Sequence, residues 1–421
     1  MTESDQPTPA AAPSFLPGPP IDRTRVEGWQ RWVRSRELFE PAPILDLPQY
    51  QQMAPRRRRL YDLHRLATHS SLPVLSTPMS DAVAWLVKAR IEDGAYSHKT
   101  GIRTGVMVNG GGAQGKTETV CAALAAFEAE WLEVNEYMNP QAIAGTRDLL
   151  APVAYVRCPV KATPVSTCQR ILDFYGEDYK NMRQEDLIRT VNAAISSHAT
   201  KALVIDDITR LKLHRESDQD VLDLLLEVMS MSVTLILVGV GIPLSGLLRR
   251  GRFDAATRQW IIPPVKDRGR SPNPEAATQH ERRFEMIELE PFSYDSRERI
   301  NAWGNHLAAL EGTLRLLHDT EGMLTSGSMP EYLFGRTNGV VGLLEKLIQR
   351  GCRLAIEDGS ERLDADLLNR CRVSPTDLPE LDAESGEQPV IPPVKNPPAK
   401  KPKRGRNATF DDSGPAAESA G

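Results

Sequence analysis

The sequence predicts an α/β fold: a three-layer α/β/α arrangement around a five-stranded parallel sheet, followed by an all-helical C-terminal lid. Three observations predict it. Five short apolar runs alternate with segments of helical periodicity, as in a parallel sheet covered on both faces. The first run leads directly into a glycine-rich loop. After the last run only helical spacing continues, so helices and strands are segregated there.

The elements follow in order. Residues 1–24 are Pro-rich and read as a disordered tail. Residues 25–95 read as an N-terminal helical region. In it, Trp29, Trp32 and Phe39 either pack into a core or dock a partner protein. Thr77 and Pro78 read as N-cap and first helical residue, with Asp81 in the first turn and Met79, Val83, Leu86 and Val87 on one apolar face. Residues 96–292 carry the expected strands 105–109, 151–157, 201–205, 233–238 and 284–289. Helices are expected at 117–134, 166–175, 184–197 and 218–230. Residues 293–375 form the lid, with helices near 294–316, 328–334, 339–358 and 364–371. Leu344, Leu347, Ile348 and Leu354 keep helical spacing in the third, and Gly359 stops it. Residues 376–421 read as a second disordered tail, Pro-rich and basic.

Bulk properties narrow the function classes. The chain has 421 residues and a net charge of −5, so any nucleic-acid contact must come from local basic clusters. No run approaches the length of a membrane span, and the N-terminus lacks a basic segment followed by an apolar one. The five cysteines are scattered without a C-x-x-C pair, which argues against a zinc site or a disulfide framework. Together these point to a cytoplasmic protein.

The most specific chemistry lies at Gly110-Gly111-Gly112-Ala113-Gln114-Gly115-Lys116-Thr117, directly after Val106–Val108. This is the phosphate-binding loop pattern in its required strand–loop–helix context. Its backbone amides face one anion, Lys116 reaches the β- and γ-phosphates, Thr117 ligates Mg²⁺, and the nucleotide-binding stretch is expected to run from Gly110 through Glu118. ATP and Mg²⁺ are the expected ligands. Further on, Leu203-Val204-Ile205-Asp206-Asp207 is an apolar strand ending in an acidic pair. Asp206 would hold the metal's hydration shell, and Asp207 would polarise the attacking water. Asp207 is one methylene shorter than the glutamate usual there, so hydrolysis is expected to be slow. The strand ending at Val238 runs into Gly239-Val240-Gly241, which offers no polar side chain to the γ-phosphate. Thr234 sits at that strand's other end. Past it, Arg252, with Arg249 as second choice, is the candidate arginine acting in trans on a neighbouring subunit; a solvated basic turn is the competing reading.

These residues resemble an AAA+ ATPase: phosphate loop, Asp206-Asp207, Val238-Gly239, Arg252-Phe253, then a helical lid. Within that class the chain looks like the TniB/TnsC family of transposition regulators. The finer likeness lies in Ser76-Thr77-Pro78, in Val153–Val156 with the helix around Cys168–Asp173, and in Thr337–Leu344 running on through Ala355–Gly359 to Leu363–Leu368. The resemblance implies ATP-dependent assembly on duplex DNA, a transposase partner, and homo-oligomers with ATP at subunit interfaces. Many AAA+ lids carry a sensor arginine where this chain has Gly342.

Candidate DNA contacts are Arg56-Arg57-Arg58-Arg59, followed by Tyr61, His64 and Arg65, and the loop 257–283, with Arg258, Lys266, Arg268, Arg270, Arg282 and Arg283. Lys400–Arg406 would add a weak tether. A solvated helix face is the plainer reading of the first cluster. Nothing reads as a sequence-specific DNA module. Two other readings stay open: a nucleotide-dependent signalling switch on a protein partner without DNA, and a helicase-loader-type ATPase.

Overall fold

A computed structural model describes residue 15 and residues 18–35, 39–99, 101–143, 149–160, 162–210, 216–242, 252–254, 259–261, 283–318 and 321–373. The tail 376–421 with Lys400–Arg406, most of loop 257–283, and Arg249 lie outside these residues.

The helices ahead of the sheet are α1 (Val26–Ser35), α2 (Leu47–Gln52), α3 (Pro55–Ser70) and α4 (Pro78–Ala95). Thr77 caps α4 as expected: its hydroxyl accepts from the Ser80 amide, and the Ser80 hydroxyl accepts from the Thr77 amide.

The main sheet contains β1 (Gly105–Gly110), β2 (Val153–Arg157), β3 (Ala202–Asp206), β4 (Thr234–Val238) and β7 (Phe284–Leu289) in the order β2-β3-β4-β1-β7. All neighbours pair in parallel. The chain moves from β1 to β2 through α5 (Lys116–Met138). It returns to β3 through α6 (Pro164–Tyr175) and α7 (Gln184–Ser197), and to β4 through α8 (Glu216–Ser230). Right-handed crossovers in opposite directions place α5 on one face and α6–α8 on the other. The three-layer α/β/α fold is therefore present. The four strands other than β7 are buried almost throughout, whereas the edge strand β7 alternates. Alternation fits a strand with one wetted side.

Between β4 and β7 a two-stranded antiparallel ribbon intervenes, β5 (Arg252–Asp254) and β6 (Gln259–Ile261). The basic turn expected around Arg252 and the start of the loop expected at 257–283 thus contain short strands. These strands are three residues each, too short for alternation to register.

The lid comprises α9 (Arg297–Glu311), α10 (Met329–Thr337), α11 (Val341–Asp358) and α12 (Ala365–Asn369). Gly359 ends α11 with φ +73°, the left-handed conformation expected of that glycine. Leu344, Leu347 and Ile348 of α11 are fully buried with Trp303, Leu307 and Leu310 of α9. Each such side chain contributes about 1.5–3 kcal/mol by burial.

The N-terminal helices are shared between two cores. Trp29 and the inner face of α4 belong to the core of the sheet, while Leu72 and Leu75 pack against the lid. Trp29 is thus a packing residue, with Trp32 half-buried against it. On α3, Arg65 is buried and forms ion pairs with Glu361 of the lid (2.6 Å) and Asp62 (2.5 Å). Arg65 and the buried Tyr61 therefore leave the basic cluster proposed for DNA: helical spacing turns them away from Arg56 and Arg59, while Arg57, a turn ahead of Tyr61, is exposed near the start of the helix. All five cysteines are free and buried. Among the described residues no helix is long and apolar enough to cross a membrane.

Candidate nucleotide site

The parallel strands bring their C-terminal ends to one edge of the sheet. There β1 delivers Gly110–Lys116, β3 delivers Asp206 and Asp207, and β4 delivers Gly239. Ligands bind at such carboxyl ends where strand order reverses, here beside β1.

The loop has the shape the motif requires. Gly115 takes φ +82° at the N-cap of α5, a conformation a side chain would strain, and Ala113 also has positive φ. The Gly111 amide donates to the Gln114 side-chain carbonyl, which closes the loop on itself. Gly112, Ala113 and Gly115 are exposed, so this stretch of backbone is accessible to an anion. Lys116 is 8% exposed and its ammonium donates to the Gly111 carbonyl. Burial lowers its pKa, while Asp206 and Asp207 oppose that shift. A cation so desolvated gains strongly from an incoming phosphate.

Asp206 is 6% exposed and accepts three hydrogen bonds. Thr117 Oγ1 donates to Oδ2 at 2.9 Å, Tyr155 Oη to Oδ2 at 2.7 Å, and the Asp207 amide to Oδ1 at 2.8 Å. A hydroxyl and a carboxylate this close, beside a phosphate cradle, suit Mg²⁺. It prefers oxygen ligands and usually takes only one or two from protein, the rest from water and phosphate. The predicted pair Thr117 and Asp206 is thus brought together.

Asp207 has φ +57° and forms an ion pair with Arg210 at 2.7 Å. The side chain predicted to orient water is held by a cation one turn along the chain. At Gly239, where the chain offers no polar side chain, the space is tight. A Cβ there would sit 2.9 Å from Ile208 and 3.1 Å from Thr209, so the turn carrying Asp207 occupies the space. Arg252 lies in β5, paired with Ile261; its side chain is outside the described residues.

The lid closes against the loop. The Gly342 amide donates to the Ala113 carbonyl, and a Cβ at 342 would meet that oxygen at 2.5 Å. Glu345, one turn further on, has its pKa raised by burial and by Glu118. Glu118 itself is paired with Arg23 at 2.8 Å.

Four contributors escaped sequence reading as site residues. Tyr155 and Arg23 reach the site from a sheet strand and the N-terminal segment. Arg210 holds Asp207. Asn109, buried at the end of β1, accepts from the Ile242 amide at 3.0 Å and ties the loop after β4 to the phosphate loop. A polar residue ending an otherwise apolar run was the available signal for Asn109. The other three depend on partners remote in sequence or on a turn without periodicity.

Residues 105–248 match the AAA domain family. No curated protein matches the sequence. Among solved structures, the ORC1 protein of Aeropyrum pernix in complex with DNA aligns at 14% identity and a TM-score of 0.46, over 71% of this chain and 65% of that one. Cdc6p of Pyrobaculum aerophilum aligns at 12% identity and a TM-score of 0.40, over 70% and 67%. The Drosophila ORC bound to DNA aligns at 15% identity and a TM-score of 0.37, over 70% and 67%. The chain therefore spans less than two thirds of the length of the first of these.

Proposed function

We propose that this chain is an ATP-binding AAA+ protein that assembles on duplex DNA in an ATP-dependent way and recruits or activates a transposase, with slow hydrolysis as its switch. The observation that carries the nucleotide part is the convergence of Lys116, Thr117 and Asp206 at the mouth of an exposed phosphate cradle. Lys116 would leave the Gly111 carbonyl for the β- and γ-phosphates, and Thr117 and Asp206 would hold Mg²⁺. The metal would supply neutralisation of phosphate charge.

Slow turnover follows from what surrounds that cradle. Asp207 is short and engaged by Arg210, residue 239 has no room for a side chain, and Gly342 contributes only its amide. Binding groups are complete while groups that speed hydrolysis are restrained or missing. Arg252 is the candidate in-trans cation. The DNA part is supported by Arg56, Arg57 and Arg59, which are exposed on α3 and have no carboxylate partner among the described residues. Arg58 is half-buried, donating to the Met53 and Gln51 carbonyls. Loop 257–283 remains a candidate contact, and the transposase partner rests on the family resemblance.

The full-length protein should form DNA-bound oligomers with ATP or a slowly hydrolysed analogue, and none with Lys116→Ala. A protein that stays monomeric and fails to shift duplex DNA at low salt, with or without nucleotide, would sink the assembly reading. Unchanged ATP binding in Lys116→Ala would sink the site assignment.

A further inference from the structure

Asp206 has one hydrogen-bond donor that the phosphate-loop motif does not supply, the hydroxyl of Tyr155. Tyr155 lies on β2, the strand beside β3, and is 1% exposed. Its hydroxyl donates to the same oxygen that Thr117 contacts. Two residues of the N-terminal segment lie against the ring. The Trp29 ring stacks at 6.2 Å and 18° between planes, and the Arg23 guanidinium lies 5.6 Å from the Tyr155 centroid.

These groups connect to the phosphate-loop helix independently. Arg23 pairs with Glu118, next to Thr117, and Trp29 Nε1 donates to the buried Glu128 of α5 at 3.0 Å. The segment from Arg23 to Trp29 thus touches both halves of the metal site: the helix that begins with Lys116 and Thr117, and the tyrosine that holds Asp206.

We propose that Tyr155 is a positioning residue for the metal-binding carboxylate, fixing the Asp206 rotamer through its hydroxyl while Arg23 and Trp29 hold its ring in place. This rests on the nucleotide-site reading above and assigns the chain a support for Asp206 drawn from its own β2 strand and N-terminal segment. A carboxylate held by only Thr117 and one backbone amide has fewer restraints on its second torsion. Groups that orient a metal-binding residue commonly set metal affinity by about tenfold or more.

Tyr155→Phe keeps the ring and its stacking and deletes only the donor. Nucleotide binding by the full-length chain is measured with a fluorescent ATP analogue, first in EDTA and then across a Mg²⁺ titration. The variant should bind metal-free nucleotide like the parent and require about tenfold more Mg²⁺ for half-maximal enhancement. Its thermal midpoint without ligand serves as the folding control. In an Asp206→Asn background the same substitution should have no further effect on the Mg²⁺ midpoint, because the group it positions is gone. An unchanged Mg²⁺ midpoint in Tyr155→Phe overturns the proposal, as does an equal shift in the Asp206→Asn background. If the variant unfolds, Arg23→Gln takes its place, with the same Mg²⁺ shift expected and an unchanged midpoint counting against the proposal. Failure of the parent protein to bind nucleotide would instead remove the underlying site reading.

Discussion

The Gly342 amide donates a 2.9 Å hydrogen bond to the Ala113 carbonyl, tying the first turn of the lid helix α11 to the crest of the phosphate loop. The contact needs a residue without a side chain, since a Cβ at 342 would approach the Ala113 oxygen to 2.5 Å and its Cβ to 3.2 Å. Gly342→Ala should push the lid off the loop. We expect a destabilisation of about 1–3 kcal/mol, typical of overpacking, together with weaker nucleotide binding. Thermal unfolding and a nucleotide titration measure the two effects. Wild-type values in both would mean that the lid and loop are not mechanically linked.

The ion pair between Asp207 and Arg210 leads to a gain-of-activity prediction. Both side chains are nearly half exposed, so the pair adds little to stability. Arg210→Ala should free the Asp207 carboxylate and raise the rate of ATP hydrolysis by roughly two- to fivefold, with little change in thermal midpoint. Asp207→Asn should lower it by about 10²-fold or more, as expected on removing a general base. A slower Arg210→Ala enzyme would show that Arg210 serves catalysis instead of restraining it.

Glu128 makes the fold's stability depend on pH. Burial raises its pKa to about 7, against hydrogen bonds from Trp29 and the Val153 amide that lower it. The folded state therefore holds a proton that the unfolded chain has released above the ordinary carboxylate value of 4.5. The contribution is full below pH 4.5 and is lost as pH rises toward 7. Glu128→Gln should flatten this slope and recover on the order of 2–3 kcal/mol at pH 8 relative to pH 5. Denaturant unfolding at pH 5, 6.5 and 8 checks it; parallel slopes for variant and parent would refute the assignment.

The exposed arginines of α3 and the buried one should separate cleanly. Replacing Arg56, Arg57 and Arg59 with glutamate should abolish the DNA shift without moving the thermal midpoint. If all three contact phosphates, neutralising them as alanines should reduce the salt dependence of DNA binding by about three in log–log slope. Arg65→Ala should behave in the opposite way. It leaves Glu361 without the partner that bonds both of its oxygens, and should cost roughly 3–5 kcal/mol of stability. DNA binding that survives the triple charge reversal would move the interface elsewhere.

Much of the molecule was legible in order along the chain. The strands were visible because a buried parallel strand is an uninterrupted apolar run, as in Leu203–Ile205 and Leu235–Val238. The α11 helix and its stop were visible because Leu344, Leu347, Ile348 and Gly359 obey local rules of spacing and capping. The phosphate loop was visible because its chemistry is contiguous, and Asp206 because an acid ending an apolar strand stands out beside it. In each case the information lies within one turn or one strand.

Tertiary structure decided what depended on partners far apart in sequence. It placed Tyr155 on Asp206, 51 residues away, and Arg23 on Glu118, 95 residues away. It turned Arg65 from a candidate DNA contact into the buried partner of Glu361, 296 residues on. It also showed that Gly239 and Gly342 are small because Ile208 and Ala113 already occupy the space a side chain would need. Residue type and spacing determine which backbone elements form and which chemistry they carry. Which donor meets which carboxylate is set only when sheet order and lid packing bring remote segments within hydrogen-bond reach.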